Sequence, residues 1–430
     1  MPARFLGSHE ATAFTPLVQV ILPPAGPRRG RYAGVLHRQL PPPHAGLRVS
    51  VVVPAKNEAA SLPATLAALA AQTDLHGQPL PRSSYEVIVL ANNCSDATAS
   101  VVRRQAGRYP HLALHVAALY LPKAQAHVGR ARGLLMDAAC DRLQLVCGPA
   151  GIIASTDADT CVVPTWVASI QAEVVAGAEA VGGRILTEID APALLPLRRI
   201  RNRDTAYHLM CARLEDFIDP NPADPWPRHH QHFGASLAIT VRAYCKVGGL
   251  PAVRFLEDEA LSQALLRHDL AVRHSPQVQV LTSARHQGRV EVGLSWQLRE
   301  WLRMSREQRE PHVDSPAHLA ALWQVRRQLR DSWATRPTRR LKDLATGLGL
   351  PAATLLARIQ AAATFGELWG EVLPIARATK VPSIPLSQAL RALPLLIKHH
   401  QQQSEVMGSV FSEVSAFPAG RAGSSRAAAR

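Results

Sequence analysis

Gly151-Ile152-Ile153-Ala154-Ser155-Thr156-Asp157-Ala158-Asp159-Thr160 is the stretch of the sequence that decides the fold. Its first four residues form an apolar run that predicts a buried strand, so the two carboxylates follow at the strand's carboxyl end. In open α/β sheets, ligands bind at that edge. Two hard oxygen ligands there suit Mg²⁺ or Mn²⁺ carrying the phosphates of a substrate. The alternative is that Asp157 or Asp159 only caps the helix expected near Pro164.

Strands and helices alternate on both sides of this stretch. The pattern predicts an α/β fold with a mostly parallel sheet flanked by helices on both faces. The predicted strands are Leu47–Val53, Tyr85–Leu90, His111–Ala117, Gly151–Ser155, Val181–Ile185, Ser236–Val241, Ala271–His274 and Val278–Thr282. The predicted helices are one marked by Leu62, Leu66 and Leu69, then Ala97–Arg108, Gln125–Cys140, Leu195–Phe217 and Glu259–His268.

Composition and periodicity divide the chain into four predicted regions. Residues 1–46 are rich in proline, glycine and arginine and predict an irregular N-terminal extension. Residues 47–304 carry the strand–helix alternation. Residues 305–415 show only helical periodicity, and residues 416–430 have the composition of a disordered tail. The predicted helices of the third region are Ala317–Arg330, Leu341–Gly347, Ala352–Ala363 and Leu386–Lys398.

The charge balance favours anionic partners. Lysine and arginine outnumber aspartate and glutamate by 48 to 33, which gives a net charge of +15. Nucleotide phosphates, nucleic acid and anionic membranes all fit that charge. The six cysteines form no Cys-x-x-Cys pair, and no apolar stretch has the length of a signal core or a membrane span. We therefore expect a soluble cytoplasmic protein, with peripheral contact to the inner face of the membrane left open.

Two further loops are expected at the same sheet edge as the aspartates. The first strand ends in Pro54-Ala55-Lys56-Asn57-Glu58, and the second ends in Ala91-Asn92-Asn93-Cys94-Ser95-Asp96. Polar side chains on such loops can hydrogen-bond a base and a ribose, and Glu58, Asn93 and Asp96 are the expected contacts. The alternative for Asn57 and Asp96 is that they cap the helices that follow. The two loops together on one edge favour ligand binding.

Two later segments carry charged side chains of opposite sign. Glu257 and Asp258 stand at a predicted helix start, where they either complement the helix dipole or supply a general base. Arg285, His286 and Arg289 follow a predicted strand. Arginine forks suit phosphate oxygens, and a histidine there is a candidate metal ligand or phosphate contact. The alternative for this second segment is a solvated basic loop.

The order of these motifs resembles glycosyltransferase family 2. The motifs are Val-Val-Val-Pro-Ala-Lys-Asn-Glu, Asn-Asn-Cys-Ser-Asp, Asp-Ala-Asp-Thr, Gly-Ala-Ser-Leu-Ala, Val-Gly-Gly-Leu-Pro and Glu-Asp, over about residues 47–300. The resemblance implies a GT-A fold, a nucleotide-sugar donor and a divalent metal. It implies an inverting transfer to an acceptor hydroxyl, with the acceptor a small molecule, a lipid-linked molecule or a glycan.

The resemblance also implies roles for individual residues. Asp159 matches the metal ligand under the diphosphate, and Asp258 matches the catalytic base, with Glu257 beside it. Asp157 matches the aspartate near the base and ribose. The remaining matches are Pro54, Ala55, Asn57, Glu58 and Asp96 for the nucleotide, and Gly234, Ala235 and Ser236 for the lining between donor and acceptor.

Two departures from the family pattern and two alternatives bear on this interpretation. Asn92-Asn93 stands where many members carry aspartates, and Glu300 breaks the Gln-x-x-Arg-Trp pattern of processive members.

A nucleotidyltransferase would show a glycine-rich basic loop after its first strand, which is missing here. A non-enzymatic binder of nucleic acid or anionic membrane fits the charge. Aromatic residues, however, are only 5% of the chain and form no basic stripe, so we expect no nucleic-acid partner. The function of His229, His230 and His232 stays open.

Overall fold

The structure is a computed structural model that describes Leu36 and residues 40–187, 194–282, 294–335, 339–378 and 383–415. Its strands are β1 Val49–Ala55, β2 Tyr85–Asn92, β3 Ala113–Leu119, β4 Ile152–Thr156, β5 Thr160–Val162, β6 Ala180–Thr187, β7 Ser236–Thr240, β8 Val272–Thr282, β9 His312–Asp314 and β10 Ser383–Pro385. The first helices are α1 Leu62–Ala70, α2 Thr98–Arg108, α3 Val128–Val146, α4 Trp166–Val175, α5 Leu195–Ile218, α6 Val241–Lys246 and α7 Glu257–Arg267. The later ones are α8 Leu294–Arg306, α9 Pro316–Thr335, α10 Arg339–Gly347, α11 Ala352–Ala361, α12 Phe365–Ala376 and α13 Leu386–Ser415.

Eight strands form one mixed sheet, in the order β3-β2-β1-β4-β7-β6-β8-β5. Strands β3, β2, β1 and β4 run parallel, β7 is antiparallel to both of its neighbours, and β6 and β8 are again parallel. The predicted α/β class with helices around a largely parallel sheet is therefore confirmed. Because β1, β2 and β4 are parallel neighbours, their carboxyl ends bring the two predicted loops and the aspartates to one edge.

The central strands are buried on both faces. In β1, Val49, Val51 and Val53 pack in the core layer that contains α1, α2 and α4, while Val52 packs in the layer that contains α3. This alternation follows from the period of two in a strand. Strands covered on both faces read as continuous apolar runs, which is why the β-branched run in the sequence predicted β1 correctly.

Strand β8 differs from the sequence-based prediction of two short strands. Its pairing with β6 runs from Val272 to Ser275, jumps, and resumes at Gln279. Pro276 lies in the jump, where the lack of an N–H donor is tolerated because the ladder is interrupted there. The chain therefore forms one irregular strand in which proline falls at the irregularity.

Contacts divide the chain into two compact units. The first contains the chain up to Leu197 together with Ala223–Arg303 and Ala362–Gly370, and it holds the eight-stranded sheet. The second contains Arg198–Pro222, Met304–Ala361 and the chain from Glu371 onwards. The sequence-based boundary at residues 304 and 305 stays a prediction.

The second unit is helical, apart from the antiparallel pair β9 and β10. Its apolar core joins α5, α9 and α13 through residues such as Leu214, Ala320 and Leu393. The buried carboxylate of Asp219 on this unit pairs with Arg326 and Arg330. Among the helices that the structure describes, none combines the length and the apolarity that crossing a bilayer requires.

Candidate active site

Asp157 and Asp159 lie in the tight connection between β4 and β5, at the carboxyl end of β4. The Thr160 N–H donates to the Asp157 carbonyl at 3.2 Å and closes this turn. The N-cap of helix α4 is Thr165, and it makes no side-chain capping bond. Because strand β5 separates the aspartates from α4, they are not its caps. The two carboxylates are instead presented at the sheet edge.

The buried guanidinium of Arg132, on helix α3, joins the aspartate turn to the Glu257-Asp258 pair. Its Nη2 donates to Asp157 Oδ1 at 2.7 Å, and its Nη1 donates to Glu257 Oε1. Its Nε donates to the Ser155 hydroxyl at 3.1 Å. Arg132 is 3% exposed and so is Glu257, so both charges are withdrawn from water and held by each other.

The carboxylates around Arg132 outnumber the guanidinium that they share. Burial alone would lower the pKa of Arg132, but the negative charges of Asp157, Glu257 and Asp258 raise it above its ordinary value. Burial raises the pKa of Asp157; Arg132 opposes this, and the like charges of Asp159, Asp258 and Glu257 add to it. Such an excess of negative charge is stabilised by a cation, which is what a metal–nucleotide complex would bring.

Asp258 is held by two backbone N–H groups. Its Oδ2 accepts from Gly234 N at 2.8 Å, and its Oδ1 accepts from Glu259 N at 2.9 Å. Position 234 has no room for a side chain, because a Cβ there would lie 2.5 Å from Nη1 of Arg132. Glycine therefore lets the backbone approach the guanidinium closely enough to reach Asp258.

The residue before the acidic pair is conformationally strained. Leu256 adopts a left-handed backbone with φ +56°, which costs a non-glycine residue about 1–2 kcal/mol. Its side chain is 48% exposed, so core packing does not explain the conformation. Strained backbone of this kind clusters at functional sites, where the surroundings fix it.

The two predicted nucleotide loops are tied to each other. Asn57, with φ +52°, accepts from Ser95 N through its Oδ1 at 2.7 Å. Asp96 accepts from Ala59 N at 3.0 Å and, through its other oxygen, from Thr98 N at 3.0 Å. The N-cap of helix α2 is Ala97, so Asp96 is not its cap; Asp96 instead accepts from the first N–H of the helix and fastens the first loop. Asn57 caps no helix and acts as the bridge.

Four other residues of these loops were also predicted nucleotide contacts. Asn93, with φ +50°, accepts from Leu121 N at 2.8 Å and donates to Leu121 O at 2.8 Å. Glu58 Oε2 accepts from Ser61 at 2.7 Å. Ala55 is the buried last residue of β1, directly after Pro54. These bonds make the loops a fixed rim beside the aspartates; a nucleotide contact by any of them stays a prediction.

The predicted lining residues divide between the site and the core. Gly234 contacts the Asp258 carboxylate, whereas Ala235 ends the turn before strand β7 and Ser236 begins that strand. Ala235 O accepts from the Thr156 hydroxyl at 2.9 Å. Ser236 is buried, and its hydroxyl accepts from the indole N–H of Trp166 at 3.0 Å.

The histidine-rich loop before β7 carries one buried histidine, His229, and two half-buried ones, His230 and His232. Burial, with the nearby His274, lowers the pKa of His229 to about 3. Its Nδ1 accepts from Gln231 N at 3.0 Å while its Nε2 faces Ser275 O at 3.1 Å, which fits a neutral ring protonated on Nε2. His232 contacts Glu259, the residue after Asp258, at 2.6 Å.

A divalent metal fits the chemistry of the aspartate turn. No group of three His, Cys, Asp or Glu side chains converges within the described ranges, so the protein does not supply a complete metal cage there. Mg²⁺ and Mn²⁺ sites on phosphate substrates need only one or two carboxylates, since the substrate supplies the other oxygens. Half-buried Asp159 meets that need. The predicted contacts Arg285, His286 and Arg289 lie outside the described residues.

Sequence reasoning missed Arg132, although a signal was present. Arg132 falls on the apolar stripe of α3 with Leu135, Met136 and Ala139, at helical spacing. A charged residue on such a stripe is buried only if it is paired, so the pattern points to a carboxylate partner. The identity of that partner depends on tertiary structure, because Glu257 lies 125 positions further on.

A comparison with protein-family models matches residues 50–229 to the family described as Glycosyl transferase family 2. Over this segment the chain is similar to that family, in agreement with the resemblance of its motifs. The protein is therefore an enzyme of the glycosyltransferase class, as the motif order had predicted. The matched segment contains both predicted nucleotide loops, Arg132 and the aspartate turn. A search of curated protein sequences found no match to the chain.

Two solved structures match the chain at low sequence identity. One is the mannosyltransferase PcManGT from Pyrobaculum calidifontis, in complex with GDP-Man and Mn²⁺, at 17% identity, covering 89% of this chain and 94% of that one, with a TM-score of 0.37. Another is S. aureus TarS 1-349 in complex with UDP-GlcNAc, at 13% identity, covering 77% and 91%, with a TM-score of 0.38. Both TM-scores are below 0.5, so no property of this chain follows from either.

Proposed function

We propose that this family 2 enzyme is an inverting, metal-dependent transferase that moves a sugar from a nucleotide-sugar donor to an acceptor hydroxyl. The observation that carries the proposal is the group of carboxylates from Asp157 to Asp159 and Glu257 to Asp258 around Arg132. It lies at the carboxyl edge of the sheet and beside the rim formed by the two loops. This edge is the place where an open α/β sheet binds a nucleotide.

The donor would lie with its nucleotide against the loop rim and its diphosphate over the aspartate turn. Asp159 would hold the metal, with Asp157 on the base and ribose side. A bound divalent ion would neutralise charge on the leaving diphosphate. Arg285, Arg289 and His286 are proposed as further contacts of the diphosphate and its metal.

Asp258 is the proposed general base. Each of its oxygens accepts one backbone N–H, and a carboxylate oxygen has a second lone pair with which to take a proton from an acceptor hydroxyl. One base opposite one leaving group supports a single displacement. The reacting carbon gains oxocarbenium character and its configuration inverts, as in inverting glycoside cleavage.

The test measures release of the sugar from a panel of nucleotide-sugar donors without an added acceptor. The full chain is incubated with UDP- and GDP-sugars, including UDP-GlcNAc and GDP-Man, in Mn²⁺, in Mg²⁺ and in excess EDTA, and sugar release is followed. We expect metal-dependent release from at least one donor, with the opposite anomeric configuration in the released sugar. Undiminished release in EDTA would remove the metal from the mechanism, and retained configuration would remove the single displacement.

A further inference from the structure

The guanidinium of Arg132 gives each of its three nitrogens a different partner from a different segment. Nε donates to Ser155 at the end of β4, Nη2 to Asp157 in the aspartate turn, and Nη1 to Glu257 at the start of α7. A guanidinium presents its N–H groups as a rigid planar fork, so these three contacts fix the three segments relative to one another.

Arg132 reaches Asp258 by two routes. The first runs along the backbone, because Arg132 pairs with Glu257 and Glu257 directly precedes Asp258 in the chain. The second is through Gly234, which packs directly on the guanidinium and donates its N–H to Asp258 Oδ2. Displacing the guanidinium therefore disturbs Asp258 from both sides.

We propose that Arg132 is a positioning residue that couples the donor side of the site, at Asp157, to the base side, at Asp258. The proposal rests on the transferase function proposed above. Donor bound at the aspartate turn and acceptor bound at Asp258 would then share one buried anchor. A lysine at position 132 keeps the charge, but its compact ammonium cannot present three separate groups in one plane.

The chain provides a matched control for this substitution. Arg142 lies on the same helix, is equally buried, and holds Glu86 with Nε at 2.9 Å and Nη2 at 2.5 Å. Its hydrogen-bond partners are Glu86 and the Pro41 carbonyl, and neither belongs to the carboxylates around Arg132. If Arg132 is only a core ion pair, Arg132→Lys and Arg142→Lys should behave alike.

The experiment measures kcat, the donor KM and thermal unfolding for wild type, Arg132→Lys and Arg142→Lys with the donor found in the panel. We expect kcat of Arg132→Lys to fall about 10²-fold, the cost of a misplacement of about 1 Å, with a much smaller change in KM. Arg142→Lys should lower the unfolding temperature and keep kcat within about twofold. A wild-type kcat in folded Arg132→Lys would overturn the inference.

A second variant covers the case in which Arg132→Lys does not fold. Arg132→Met/Glu257→Gln removes both charges of the fully buried pair, and Asp157, whose side chain is 35% exposed, keeps its contact with water. We expect this variant to fold and to lose at least as much kcat as predicted for Arg132→Lys; full kcat would overturn the inference. A wild-type protein that transfers no sugar would overturn the proposed function. An active wild type with an equally active variant would overturn only the role of Arg132.

Discussion

Helix α3 carries two buried arginines that face two different environments. Near its C-terminal end, Arg142 pairs with Glu86, whose carboxylate also accepts from Ser50 at 2.8 Å and lies 3.4 Å from His115. Near its N-terminal end, Arg132 meets Asp157, Glu257 and the field of Asp258. The first cluster pairs one carboxylate with cationic or neutral groups, and the second has more carboxylates than the guanidinium can balance.

The direction of the pKa shifts shows what this difference means. Burial alone would raise the pKa of Glu86, but the hydrogen bonds from Arg142 and His115 lower it to about 2. The pKa of Asp157 is raised instead, by burial and by neighbouring carboxylates, despite Arg132. Glu86 lies near the amino end of β2, whereas Asp157 lies at the carboxyl edge of the sheet. The balanced cluster holds its carboxylate with groups of opposite charge, whereas the unbalanced one keeps an excess of negative charge that a bound cation would stabilise.

Loss of the proposed base should give the largest effect. Asp258→Asn keeps the shape and the bond from Gly234 but removes the basic oxygen. We expect the transfer rate to fall about 10²–10⁴-fold with donor affinity near wild type. Steady-state kinetics with separate donor-binding measurements check this. Glu257→Gln is the control and should lower the rate less; the reverse order would mean that Glu257 is the base.

Breaking the balanced cluster should affect stability and leave chemistry intact. Glu86→Gln leaves the Arg142 charge buried without its carboxylate, so we expect a loss of about 3–5 kcal/mol in the free energy of unfolding. Denaturant unfolding measures it. Glu86→Gln/Arg142→Met removes both charges and should recover most of that loss. A large fall in kcat of folded Glu86→Gln would contradict the division of roles.

Acid should weaken the balanced cluster in a defined pH window. The pKa of Glu86 is lowered from 4.5 to about 2, so the folded state binds fewer protons than the unfolded state between these values. Its stabilisation is therefore complete above about pH 4.5 and is lost as the pH falls towards 2, with a total of about 3 kcal/mol. Unfolding curves of wild type minus those of Glu86→Gln/Arg142→Met isolate it. A difference that does not change with pH would contradict the assignment.

Two glycine-to-alanine substitutions should have the smallest effects, and those effects should have opposite signs. Gly234→Ala places a Cβ against Arg132, and overpacking of this kind costs about 1–3 kcal/mol. Gly107→Ala, in α2, meets no atom within 4 Å and should stabilise by about 0.4–1 kcal/mol. Thermal unfolding of both variants tests this. Equal effects would mean that the approach of residue 234 to Arg132 is not tight.

Much of the fold could be predicted from the sequence, because strands such as β1 are buried on both faces and appear as apolar runs. The sheet edge followed from the places where those runs end. Strand β5 was missed because three residues carry too little periodicity. The pairing of Arg132 with Glu257 was missed because the partner of a buried charge is set by the fold and not by spacing along the chain.

The hydrogen bonds between the two predicted nucleotide loops were also beyond prediction from the sequence. The types of Asn57 and Asp96 allowed either a helix cap or a ligand contact. The structure shows both as links between the two loops, and Asp96 also accepts from the first N–H of helix α2. The two bonds that link the loops join residues 37 and 38 positions apart, so no local pattern reveals them.

The central claim is that the unbalanced carboxylates receive a metal–nucleotide complex through Asp159. Thermal unfolding of wild type and Asp159→Ala is measured with UDP and with GDP, each with Mn²⁺ and with EDTA. A ligand at about 100 times its Kd stabilises the folded state by about 2.7 kcal/mol. We expect one nucleotide to protect the wild type only when Mn²⁺ is present, and Asp159→Ala to fold but to lose this protection. Equal protection of both proteins, or protection that persists in EDTA, would contradict it.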